Sequence, residues 1–284
     1  MSILTSFETF FGLPVFFVCS FLFYFACFFA LGALFGSFAN VVIKRLPLGE
    51  SIVSPRSHCR SCQTTLRIQD NIPIISWFLL KGRCHHCHSP FSFRYVVVEC
   101  LMGILFAFAW ARFGWSLDLL ENMILIFGLV TVSFIDLDHL ILPDSFTISG
   151  IFLGLAFAFF NPNAERDALD SILGVLFGGG ALWGVAYVYT LFRNEEGLGG
   201  GDIKLLACLG AFLGWKAIPF VILIASLLGA SVGIVAALKS QKGLKTTIPF
   251  GPFLVAAALL FLFAGNTAGD WYWHLFMPWL GSSQ

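Results

Sequence analysis

The sequence predicts an all-α polytopic membrane protein of about eight transmembrane helices with one small polar insert, and three observations predict it. Hydrophobic residues make up 58% of the 284 and charged residues only 11%, against about 25% charged in soluble domains. Charge-free stretches are long: residues 9–43 carry no charge, and further runs cover 100–111, 122–135, 145–164, 171–192, 205–215, 217–238 and 246–264. The remaining charges are clustered and sum to a formal net charge of zero, which leaves no bulk electrostatic case for nucleic-acid binding.

A helix crosses the hydrocarbon core with about 20 apolar residues. Several of these runs are long enough alone, and others become so with their polar flanks. The span near 204–216 is the shortest. No alternating pattern of a β-barrel appears, so helices are the expected way to satisfy backbone groups in lipid. The apolar start carries no Lys or Arg before it, so the first helix reads as a retained anchor and not a cleaved signal. Three parts follow: an N-terminal membrane anchor over 1–43, a polar insert with four cysteines over 44–94, and a polytopic helical core over 95–284. Trp271, Tyr272, Trp273 and Trp279 near the end suit a membrane interface.

Orientation comes from the basic residues. With the 44–94 insert in the cytoplasm and alternation from there, thirteen of the sixteen Lys and Arg residues fall on cytoplasmic segments, leaving out Arg112, Arg166 and Lys216. The positive-inside rule selects this topology. It places both termini and the 161–169 loop outside.

The insert holds Cys59-Arg60-Ser61-Cys62 and Cys84-His85-His86-Cys87, with 21 residues between the pairs. Each pair presents two thiolates from one tight turn, and the two together make a tetrahedral zinc shell of Cys59, Cys62, Cys84 and Cys87. Two disulfides are the alternative, which a reducing compartment disfavours. Four unrelated thiols are another. A four-sulfur shell is closed, so such a zinc is structural and hydrolyses nothing. His58, His85, His86 and His88 beside it are candidates to replace a thiolate or tune the site, and otherwise read as polar loop residues. Cys19, Cys27, Cys100 and Cys208 sit in apolar runs and read as small core residues.

Two acidic segments stand at span ends. Ile135-Asp136-Leu137-Asp138 through Pro143-Asp144 places three carboxylates where one span ends and the next begins. Gly199-Gly200-Gly201-Asp202 places an Asp after a glycine run, at the opening of an apolar helix. Both face the cytoplasm on this topology. Two nearby carboxylates and one water hydrolyse a peptide bond when one acid is ionised and the other protonated, and their titration belongs to the pair. Glycines let an extended backbone approach. Asp202 also reads as an N-cap, Asp144 as a cap after Pro143, and Asp138 as solvated. Spacing alone does not separate Asp136 from Asp138. Glu99, one turn inside a span, is either functional or an interfacial partner of Arg94.

The sequence resembles the type IV prepilin peptidases over nearly its whole length. The resemblance rests on Gly36-Ser37-Phe38-Ala39-Asn40-Val41 with Arg45-Leu46-Pro47, on the paired cysteines with Asp70-Asn71-Ile72-Pro73 between them, and on the two acidic segments. Ile248-Pro249-Phe250-Gly251-Pro252 adds to it. The resemblance implies that Asp136 and Asp202 are the catalytic pair of an aspartic endopeptidase at the cytoplasmic face of a bacterial inner membrane. It implies prepilin and pseudopilin substrates with a basic leader, a Gly at the cut and an apolar helix behind it. Glu50, Asp70, Glu195 and Glu196 are candidates to attract that leader. It also implies methylation of the new N-terminus with S-adenosylmethionine as donor, although the chain carries no glycine fingerprint for that cofactor. Gly178-Gly179-Gly180 reads as close helix packing. The Asn40 region and the cysteine insert are the candidates to support methylation. Other readings are a related Gly-x-Gly-Asp peptidase with different substrates, a zinc-stabilised scaffold, and a transporter, which needs more polar groups at mid-membrane depth than these spans hold.

Overall fold

Each apolar run forms a helix in the computed structural model, which describes residues 15–161, 166–193, 199–239 and 249–276. Among the described residues there are eight long helices: α1 Val15–Arg45, α2 Arg94–Phe113, α3 Leu117–His139, α4 Asp144–Phe160, α5 Ala168–Arg193, α6 Gly200–Leu213, α7 Ala217–Lys239 and α8 Gly251–Phe276. Glycine and proline mark their ends. Gly114 and Gly214 follow α2 and α6 with φ of 59° and 77°, left-handed geometry that costs glycine little. Pro143 caps the start of α4. Pro252 occupies the first turn of α8, where no N–H is needed.

Five of the eight, α1, α2, α3, α5 and α7, are long and apolar enough to cross a membrane. The helices α4, α6 and α8 do not reach that length over their described apolar residues, so the expected count of eight crossings is not established. The case of α6 has a physical reason. Its 14 residues rise about 21 Å, short of the roughly 30 Å hydrocarbon core. Every residue from Leu205 to Phe212 is buried. It is the interior helix of its unit, packed against α4 and α5.

The chain divides into two compact units, residues 1–119 and 120–284. In the first, α1 packs along α2. A Cβ on Gly36 would lie 2.7 Å from the Glu99 Cα, so this glycine lets the two backbones meet where Glu99 stands. The insert lies between these helices in the chain. Among the described residues it has no extended strand, only turns, two isolated bridges, 3-10 helices over Leu46–Leu48 and Gln69–Asn71, and a short α-helix over Ile75–Leu79.

In the second unit, α6 packs against α4 and α5, and α7 against α8. Leu125, Leu129 and Val132 of α3, Leu205 and Leu209 of α6, Val221 of α7 and Leu254 of α8 share one buried cluster. Gly174 of α5 and Gly210 of α6 face each other so closely that a Cβ on either would strike the other's backbone. Gly178 meets the Leu206 carbonyl in the same way, whereas Gly180 has open space. At one end of this unit Arg166 pairs with the buried Glu121 and also donates to Ser171.

Large apolar side chains along α1, α5 and α7 remain exposed, including Phe23, Leu176 and Ile234, as lipid-facing helices require. Cys208 is buried, but Cys19 and Cys27 are exposed. These two face outward from α1 and are not core residues. Glu195, Glu196, Ile248 and Trp279 lie outside the described residues, as do the side chains of Trp271, Tyr272 and Trp273.

Candidate active site

Three helix ends of the second unit meet around the two acids. Asp136 lies near the C-terminal end of α3 and Asp202 in the first turn of α6. Asp136 is 5% exposed. Its Oδ2 accepts a hydrogen bond from the Gly251 N–H at 3.0 Å, at the first residue of α8. A helix N-terminus carries partial positive charge and suits a carboxylate. Gly251 is required by space: a Cβ there would sit 2.6 Å from Asp136 Oδ2 and 3.3 Å from Leu142. The same Leu142 would lie 2.9 Å from a Cβ on Gly201. One leucine thus fills the space between the glycine before Asp202 and the glycine that holds Asp136.

Asp202 is half-buried, and its Oδ1 is enclosed yet accepts no hydrogen bond among the described residues. Buried carboxylate oxygens are ordinarily satisfied, so this one marks a site. The charge of Asp136 acts on Asp202, so the two carboxylates interact. Asp202 is not an N-cap: that position belongs to Gly199, with no side-chain cap bond. Asp138, two positions past Asp136, points to the opposite side of α3 and is exposed. Asp144 opens α4 and pairs with Lys204 Nζ at 2.7 Å. The structure therefore brings Asp136 and Asp202 together and leaves Asp138 and Asp144 at the surface. Sequence reasoning did not assign a role to Leu142 or to the Gly251 N–H. The Pro-Phe-Gly-Pro segment was visible, but the contact across 115 residues was not.

The four insert cysteines also meet. The Sγ atoms of Cys59, Cys62, Cys84 and Cys87 all lie within 4.8 Å of one another, and Cys59 and Cys87 are 3.7 Å apart. Tetrahedral zinc with bonds of about 2.3 Å spaces its sulfurs about 3.8 Å apart, so the cluster fits zinc. Two matching turns build it. Cys59 N–H donates to Thr64 O and Cys84 N–H to Ser89 O, both at 2.9 Å. Bridges His58–Thr65 and Arg83–Pro90 close the two turns, and Gln63 and His88 sit within them at φ of 57°. The pattern recurs at a spacing of 25 residues, an internal repeat signalled only by the cysteine pairs. Ser89 Oγ stands 3.1 Å from Cys87 Sγ and 3.5 Å from Cys59 Sγ. The Ser89 hydroxyl and then the Cys62 N–H bring the Cys59 thiol down to about 6. Ser89 also lowers Cys87. His85, His86 and His88 are exposed, as loop residues are.

Glu99 is buried in the first unit, accepting the Ile74 N–H at 2.7 Å and the Ser37 hydroxyl. The Ile74 bond ties the insert to α2.

Residues 30–113 match the family model described as the bacterial peptidase A24 N-terminal domain, and residues 123–234 match that of the type IV leader peptidase family. The prepilin leader peptidase/N-methyltransferase of Myxococcus xanthus is 46% identical over 215 residues, 75% of this chain and 63% of that protein, so the match spans under two thirds of its length. The protein of that name from Stutzerimonas stutzeri is 36% identical over 84% of this chain and 90% of its own. That from Aeromonas hydrophila is 35% identical over 88% and 93%. No solved structure matches this chain.

Proposed function

We infer the function from one premise: this chain belongs to the type IV leader peptidase family. On that premise it is a multi-pass membrane aspartic endopeptidase. It removes the basic leader from type IV prepilins and related pseudopilins, cutting after Gly, and then N-methylates the new N-terminal residue with S-adenosylmethionine as donor. It acts in a bacterial inner membrane, with its catalytic side in the cytoplasm and lipid around its helices. Nucleic acid has no part in the reaction.

The observation that carries this reading is the carboxylate pair: Asp136 held by the Gly251 N–H, and Asp202 with a buried oxygen that accepts no hydrogen bond among the described residues. Two such acids share one proton. The ionised carboxylate removes a proton from water as the water oxygen bonds to the scissile carbonyl carbon. The protonated carboxyl donates to the carbonyl oxygen. Collapse of this tetrahedral species breaks the C–N bond, and the amine leaves with the proton taken from water. The glycines beside Asp202 keep its approach clear of side chains. Cys59, Cys62, Cys84 and Cys87 hold zinc as a closed structural shell that braces the insert.

Mass spectrometry tests this on a prepilin incubated with the detergent-purified chain and S-adenosylmethionine, with Asp202→Ala alongside. Leader loss plus one added methyl, with cleavage absent in the variant, is the expected result. Leader loss without the methyl removes the transferase, and no cleavage by folded wild-type protein overturns the reading.

A further inference from the structure

A cavity of about 410 Å³ lies wholly within the first unit, among the ends of α1 and α2 and the insert. That volume is typical of small-molecule sites, which span about 300–1,000 Å³. Its lining is not the apolar wall of a lipid-facing crevice. Glu99 lines it while only 8% exposed. Two donors already hold this carboxylate, the Ile74 N–H and the Ser37 hydroxyl, and a carboxylate has capacity for more. Ile74 makes its bond from φ 64° and ψ −57°, a genuine outlier for a β-branched residue. Such strain gathers at ligand clamps. Asn40, 9% exposed, ties α1 to α2 through the Tyr95 carbonyl at 3.1 Å. Trp77 presents an indole fixed by its N–H to the Phe91 carbonyl at 3.3 Å and by edge contacts with Phe78 and Phe93. Lys44, Arg45, Arg60 and Arg83 add cations to the wall, and Glu50 and Asp70 add two further acids.

One cavity thus offers one buried anion, a rigid aromatic surface and, among four cations, the adjacent pair Lys44 and Arg45 at the end of α1. This complements a ligand with a permanent cation, a planar heterocycle and a carboxylate. A sulfonium has no N–H to donate and is recognised by charge alone, so a carboxylate in a poorly solvated wall is the group that senses it. An indole face takes a purine by stacking, and Lys or Arg takes a carboxylate. We propose that this cavity is the S-adenosylmethionine site, with Glu99 reading the sulfonium, Trp77 the adenine, and Lys44 with Arg45 the carboxylate. The inference rests on the methyl-transfer reading above and gives it a location. It also accounts for the missing glycine fingerprint: helix ends and the insert form this site, not a strand–turn–helix loop.

Isothermal titration of the detergent-purified full chain with S-adenosylmethionine, and with its uncharged thioether product S-adenosylhomocysteine, reads the charge directly. Wild-type protein binds both. Glu99→Gln is expected to weaken S-adenosylmethionine at least tenfold and the thioether less than threefold, while Trp77→Ala weakens both at least fivefold. Equal losses on both ligands in Glu99→Gln, or no loss in either variant, overturn the proposal. Ultraviolet cross-linking of labelled S-adenosylmethionine to unmutated protein guards against misfolded variants. Label within 71–77 or 92–99 supports the site, and label confined to residues after 119 overturns it. Methyl transfer by a wild-type protein whose label lies elsewhere leaves the proposed function intact and removes this cavity. Wild-type protein that neither binds the donor nor adds a methyl removes both.

Discussion

Replacing Gly251 with Ala tests how the carboxylate pair is held. The new Cβ would stand 2.6 Å from Asp136 Oδ2 and 3.2 Å from its Cγ, with Leu142 at 3.3 Å on the other side. A relaxed carbon–oxygen contact is longer by several tenths of an ångström, and Leu142 blocks retreat of the methyl group. The carboxylate must therefore swing away, and the 3.0 Å bond from the Gly251 N–H is stretched or lost. A hydrogen bond to a charged group contributes about 1.5–3 kcal/mol, and a displacement approaching 1 Å in a catalytic group costs about 10²-fold in rate. Gly251→Ala should lower kcat/KM for leader cleavage by about 10²-fold, or about 2.7 kcal/mol of transition-state stabilisation. Alanine is the better helix former by about 0.5–1 kcal/mol, so overall stability should change little. The assay is the initial rate of leader loss from a purified prepilin by mass spectrometry, with thermal unfolding in the same detergent. Cleavage within threefold of wild type, by protein of unchanged stability, would refute the positioning of Asp136 by Gly251.

Asp136→Asn and Asp202→Asn should each abolish cleavage, while Asp138→Asn, on the exposed side of α3, retains it; the same prepilin assay separates them. Elemental analysis should find zinc in the wild-type chain and much less in Cys59→Ser. In the metal-free cluster the Cys59 thiol is lowered to about 6, so it offers zinc a thiolate at neutral pH, and protons compete with the metal for the sulfurs as pH falls. Zinc release to a chelator should accelerate on acidification from pH 7 to 5, and a rate independent of pH would contradict thiolate ligation. Arg166→Met leaves Glu121 buried without its cation and should cost about 3–5 kcal/mol, read as a lowered unfolding temperature. Lys204→Ala removes an exposed pair with Asp144 and should change stability by less than about 1 kcal/mol.

The helices were legible because charge in lipid is costly and its absence over long runs is a direct signal. The interior position of α6 was not, because a buried core helix and a short span carry the same apolar composition. The cysteine pairs declared themselves by spacing, whereas Ser89, which touches two of the sulfurs, is one serine among many in a polar insert. Asp136 and Asp138 show the limit most sharply. An amphipathic helix announces its inner face, but α3 is apolar nearly all round up to Asp136, so its sequence carries no phase from which to choose between them. The choice is made by contacts from far along the chain, Gly251 and Leu142, and these act through a backbone N–H and a filled space that leave no periodic trace. Such a site is held by what glycine omits. Changes at Gly251 and Gly201 should therefore be felt in catalysis before they are felt in folding, the reverse of what Arg166 and Glu121 should show.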